Sequence, residues 1–137
     1  MTKTKSAILG AILLSAMNMQ AAELGDKAPE LEISKWIKGE PVKVTGDGTY
    51  VVEFWATWSG PCKVSIPHLT EMQKKYKDVA FIGISDEKAP LVSKFVEEMG
   101  DKMDYRVAID DNRQTSKAYM TAFEQNGIPH AFVVKDQ

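Results

Sequence analysis

The only cysteine of this chain, Cys62, closes the segment Trp55-Ala56-Thr57-Trp58-Ser59-Gly60-Pro61-Cys62. The reactive form of cysteine is the thiolate, and unpaired backbone N–H groups at a helix start stabilise it. Ser59-Gly60-Pro61 is such a start: serine caps, and proline suits the first turn. The spacing sets Ser59 at the helix mouth and Cys62 one turn further in, shielded. A lone cysteine makes no internal disulfide, so Cys62 stays free or pairs with another molecule. Glu53 stands in an apolar run, where a carboxylate is costly unless protonated or paired. The expectation is a buried acid of raised pKa that accepts a proton from Cys62; the alternative is an edge position facing water. Two histidines complete the set. His68 reads as solvated, and His130 as structural or exposed, with a place beside a bound substrate as the other reading. Cys62, His68 and His130 form no zinc pattern, and no haem attachment motif occurs.

Elements must position these groups. Leu31 to Ile37 alternates at first, then breaks, and reads as a short strand, Lys38-Gly39-Glu40-Pro41 as a turn, and Pro41-Val42-Lys43-Val44 as a segment that pairs back. A second turn falls at Gly46-Asp47-Gly48. Tyr50-Val51-Val52-Glu53-Phe54-Trp55 is nearly all apolar and β-prone, the pattern of a buried central strand. Cys62, Ile66, Leu69, Met72 and Tyr76 then recur at helical spacing as far as Lys77, with a kink expected at Pro67. Val79 to Ile84 is another buried strand. Pro90 to Met99 predicts an amphipathic helix with Leu91, Val92, Phe95, Val96 and Met99 on one side and Gly100 as its cap. Tyr105 to Ile109 predicts a strand, Asn112 to Phe123 a helix, and His130 to Val134 the last strand. This alternation implies an α/β fold around a mixed sheet with right-handed crossovers.

The chain has 137 residues, 44% hydrophobic, and a net charge of −2, which fits one domain with a packed core. No basic face points to nucleic acid. Lys3 and Lys5 precede an apolar run from Ala7 to Met17, and small residues follow at Ala21 and Ala22. Residues 1–22 therefore read as a signal peptide that leaves no stable membrane span after cleavage. The mature part is 23–137, exported, in a bacterium to the periplasm, where disulfides form.

Four features together resemble the thioredoxin superfamily over most of 23–137. Trp55-Ala56-x-Trp58-x-Gly60-Pro61-Cys62 is similar to its active-site loop. Glu53 stands where the family keeps a buried acid. Pro67 falls at its helix kink. Gly127-Ile128-Pro129 looks like its cis-proline loop. The leader and Ala56-Thr57-Trp58 resemble the exported TlpA-like thiol–disulfide oxidoreductases, or redoxins.

The resemblance implies a thioredoxin-like fold with an N-terminal β extension and a catalytic set of position 59, Cys62 and Glu53. Position 59 holds the attacking cysteine in the family, Cys62 the resolving one, and Glu53 the proton acceptor. It implies substrate contacts at Trp58, Gly60, Pro61, Ile128 and Pro129, with no bound cofactor and no metal. Its substrates would be protein disulfides or dithiols, with a thiol reductant as partner. Two departures stand out. Serine replaces the attacking cysteine, and an oxygen–sulfur bond does not support exchange. The sequence ends at Gln137, where the family continues with a strand and a helix, so a shortened C-terminus is expected. This chain is then inactive or monothiol. Two alternatives remain: a redox-inactive peptide-binding module, and a peroxiredoxin-like peroxidase suggested by Ser59-x-x-Cys62. The latter pattern wants proline seven before the cysteine, where this chain has Trp55.

Overall fold

Five strands make one sheet in a computed structural model that describes residues 21–135. The strands are β1 (Ile33–Lys38), β2 (Thr49–Phe54), β3 (Val79–Ser85), β4 (Arg106–Asp110) and β5 (His130–Lys135), in the order β1-β4-β3-β2-β5. β2, β3 and β4 run parallel, and β1 and β5 are antiparallel edges. Helix α1 (Gly60–Lys75) joins β2 to β3, and α2 (Ala89–Met99) joins β3 to β4. Parallel neighbours require such crossovers.

Strand side chains alternate, so each strand feeds two cores. On one face Phe81, Val107 and Ile109 pack with Cys62, Ile66 and Leu69 of α1 and with Val92 and Val96 of α2. On the other, Val52, Phe54, Ile82, Ile84 and Val134 pack with Tyr119 and Met120. Burial on both sides explains why β2 and β3 read as near-continuous apolar runs. The α/β architecture with a mixed sheet agrees with the sequence reading.

Three expectations need correction. Residues 41–44 do not pair back on the first strand: β1 pairs with β4, Ile33 opposite Asp110, and Val44 is buried in the second core as irregular chain. The helix expected at 112–123 is instead α3 (Gln114–Ser116) followed by a π-helical turn, Lys117–Thr121. Asn112 and Arg113 have φ of 49° and 61°, a left-handed bend that a helix cannot include. The Asp110 carboxylate then fixes the start, accepting from the N–H groups of Thr115 and Ser116 at 2.8 Å each. The apolar stripe of α1 ends earlier than its periodicity suggested, since Met72 and Tyr76 are exposed. Thr70 is buried in their stead, its hydroxyl donating to the Lys102 carbonyl at 2.7 Å and accepting from the Asp104 N–H at 3.0 Å. On α2, Leu91 is exposed and Gly100 caps with φ of 55°.

Helix α1 runs as one element through Pro67, whose ring leaves the Lys63 carbonyl without its helical donor. Residues 1–20, the bulk of the expected signal peptide, lie outside the described residues. Among those described, no helix is long and apolar enough to cross a membrane.

Candidate active site

Strand β2 ends at Phe54 and hands the chain to Trp55, whose N–H donates to the Ile84 carbonyl at 3.1 Å and extends the pairing by one residue. The loop then turns tightly, with the Ser59 N–H donating to the Ala56 carbonyl at 3.3 Å. Ser59 is the N-cap of α1, and its hydroxyl accepts from the Cys62 N–H at 3.3 Å. Pro61 occupies the first turn, where its missing N–H costs nothing. Ser59 is buried, and Cys62 is 0% exposed. The loop therefore sets a hydroxyl oxygen one helical turn from the thiol.

Behind this loop lies Glu53, on the same sheet face as Val51 and Trp55, the face that carries Cys62. It is 4% exposed, and its Oε1 has no hydrogen-bond partner. Burial pushes its carboxyl up from 4.5 to about 7. Tyr105 is buried nearby with its hydroxyl also unpartnered; burial and then the charges of Glu53 and Cys62 push its phenol up.

Above the loop runs a groove of about 290 Å³ whose lining includes Trp55, Ala56, Trp58, Arg113 and Ile128. Trp58 is 73% exposed at its rim. The Ile128–Pro129 bond is cis, and Ile128 packs against both cores. His130 is half-buried, its ring 4.7 Å from that of Phe132, while His68 lies exposed on α1. The structure thus gathers Glu53, Ser59 and Cys62 below the loop, and Trp58 and Ile128 in the groove above it. Gly60 and Pro61 stand exposed at the helix mouth, and Pro129 is half-buried behind Ile128.

The loop is held from the side by Glu87. Its Oε1 accepts from the Thr57 N–H at 2.7 Å and from the Ser85 hydroxyl at 2.9 Å, and its Oε2 accepts from the Thr57 hydroxyl at 2.6 Å.

A model of the AhpC/TSA family matches residues 24–137. The chain belongs to the AhpC/TSA family. Within that family it is a TlpA-like member of the thioredoxin superfamily. It is 31% identical to the thiol-disulfide oxidoreductase ResA of Bacillus thuringiensis subsp. konkukian over 71% of its own length and 57% of the relative's. It is 27% identical to protein FixW of Rhizobium leguminosarum over 81% and 55% of the two chains. Among solved structures, a thioredoxin-family thiol:disulfide interchange protein of Chlorobium tepidum TLS superposes with a TM-score of 0.65 at 25% identity, covering 85% and 86%. A candidate thiol:disulfide interchange protein DsbE of Chlorobium tepidum does so with 0.64 at 30%, covering 82% and 80%. The chain spans 35–57% of the length of the curated relatives first matched.

Sequence reasoning missed Glu87 and Tyr105 in this AhpC/TSA chain. Glu87 stands in Ser85-Asp86-Glu87-Lys88, which reads as a solvated turn; nothing there marks which acid turns inward. Tyr105 reads as the first residue of a strand. It comes within electrostatic range of Glu53 only because β4 lies beside β3, a pairing no local pattern shows.

Proposed function

We propose that this chain is an exported, TlpA-like thiol–disulfide oxidoreductase domain acting on protein disulfides, in which Ser59 occupies the place of the attacking cysteine. The observation that carries the reading is the Ser59 hydroxyl at the mouth of α1, one turn from the buried Cys62 thiol, with the Glu53 carboxyl behind. A sulfur at position 59 would form a mixed disulfide and release one substrate thiol. The Cys62 thiol would lose its proton and attack that bond, closing a 59–62 disulfide and releasing the second substrate thiol. An external dithiol would then reduce the protein again. Serine removes the first step, so the chain as it stands completes no dithiol cycle, and its remaining route is slow monothiol exchange at Cys62. The leader pattern of residues 1–22 supports export, and the names of the ResA and Chlorobium proteins support the chemistry.

The test is Ser59→Cys with insulin or a model disulfide as substrate and dithiothreitol as reductant. Turnover in the cysteine form and none in the serine form is expected. No gain over the serine form overturns the reading.

A second reading, a redox-inactive peptide-binding module, has its own observation: Trp58 stands exposed beside a preformed groove. It is favoured if Cys62→Ala retains a partner peptide while Ser59→Cys shows no turnover. A peroxidase reading is opposed by Trp55, which stands seven residues before Cys62 where that pattern has proline.

A further inference from the structure

Charge in the groove above the active loop is unevenly spent. Among the described residues, the charged side chains that line it are Asp86, Asp110 and Arg113. Asp110 is 5% exposed, and its two oxygens already accept from the Thr115 and Ser116 N–H groups at 2.8 Å each. Asp86 faces Arg113, its Oδ2 3.2 Å from the arginine Nε. One carboxylate engages only part of a guanidinium, which presents five N–H donors in a planar fork. Donors are therefore left over on the cation of this lining, whose side chain is 65% exposed.

The backbone beneath this side chain is costly. Arg113 has φ of 61° and ψ of 17°, directly after Asn112 with φ of 49°. Glycine adopts this left-handed region freely, and arginine does not. An exposed ion pair such as that with Asp86 returns little stability, less than the strain takes. Strain held at a cavity wall points to a use for the side chain other than holding the fold together.

The side chain is also braced. Asp86 is followed by Glu87, the residue that accepts from both the N–H and the hydroxyl of Thr57. Arg113 thus leans on the same segment that anchors the loop carrying Trp58 and Ser59. One wall of the groove offers an exposed indole, and another a guanidinium with donors to spare.

We propose that Arg113 is a specificity residue of this groove: it takes the carboxylate of an acidic side chain that neighbours the cysteine of a protein substrate. The planar fork matches a carboxylate in shape as well as charge, which a lysine would not. Asp86 holds the fork in place and competes for it. The inference rests on the groove seating the substrate segment, and it narrows the substrate class to segments with an acid beside the cysteine.

Peptide titration of the full chain, with Ser59 in place, tests the proposal. The probes are short peptides blocked at both ends, with serine where the substrate has cysteine and Asp, Asn or Lys next to it. Nuclear magnetic resonance shifts of the Trp58 indole and of the amides of residues 113–121 report binding. The Asp peptide should bind about three- to fivefold more tightly than the Asn peptide, the scale of an exposed ion pair, and the Lys peptide most weakly. High salt should shrink that preference. Arg113→Gln should bind all three alike, while Asp86→Asn, which removes the competitor, should widen the preference for Asp. Equal affinities in the unmodified chain, a preference for Lys, or a ranking that survives Arg113→Gln overturns the proposal. So does the absence of any shift in the groove. Turnover of insulin by Ser59→Cys is a separate readout: it can fail while the peptide ranking stands, and the ranking can fail while turnover stands.

Discussion

Ser59 combines two roles that mutation separates. Its hydroxyl closes the first turn of α1 through the Cys62 N–H. Ser59→Ala removes that bond and should cost about 1 kcal/mol of stability, while Ser59→Gly should cost only a few tenths. Urea unfolding of the two variants checks the order; equal stabilities of Ala and serine forms would mean the cap contributes nothing. Ser59, Cys62 and Glu53 were all legible in the sequence because their meaning is local. A capping residue, a first-turn proline and an acid inside an apolar run are each read within a few neighbours. Tyr105 was not legible as a neighbour whose phenol feels the charge of Glu53. That proximity depends on the order of the strands, which sets β4 beside β3 and β3 beside β2.

Elements explain where the fold reading held and where it failed. β2 and β3 are legible because both of their faces are buried and the run stays apolar, and α2 because one face meets a single core; their positions matched. The segment after β4 failed because its start depends on a residue outside it, the Asp110 carboxylate, and on two left-handed residues that no composition rule demands. The adjacent pair Tyr119 and Met120 is buried together in the wider π turn, a pattern that periodicity reads as ordinary helix. The active loop depends on tertiary support in the same way. Glu87 ties Thr57, by its N–H and its hydroxyl, to the end of β3. Glu87→Ala leaves these half-buried donors unmet and should cost about 1–3 kcal/mol. Hydrogen exchange should show the Thr57 and Trp58 amides losing protection more than those of β3. Uniform loss across the sheet would instead indicate global destabilisation, and the loop would not be a separately anchored unit.

For the molecule as a whole, Glu53 should make stability depend on pH. Its folded carboxyl titrates at about 7, above the 4.5 of an exposed one. Below the lower value both folded and unfolded chains hold the proton, so this group's contribution is fully present. Between the two values the unfolded chain has released the proton and the folded chain still holds it. Each step up in pH then favours unfolding, and the contribution is gone once pH passes the folded value. The shift corresponds to about 3 kcal/mol, an order of magnitude set by 1.36 kcal/mol per unit. Urea midpoints measured from pH 4.5 to 8 should therefore fall with rising pH. Glu53→Gln has no proton to release and should flatten that fall, because other carboxylates titrate mainly below this window. A curve of the same slope in Glu53→Gln would mean that another group carries the dependence and that the buried carboxyl ionises without cost.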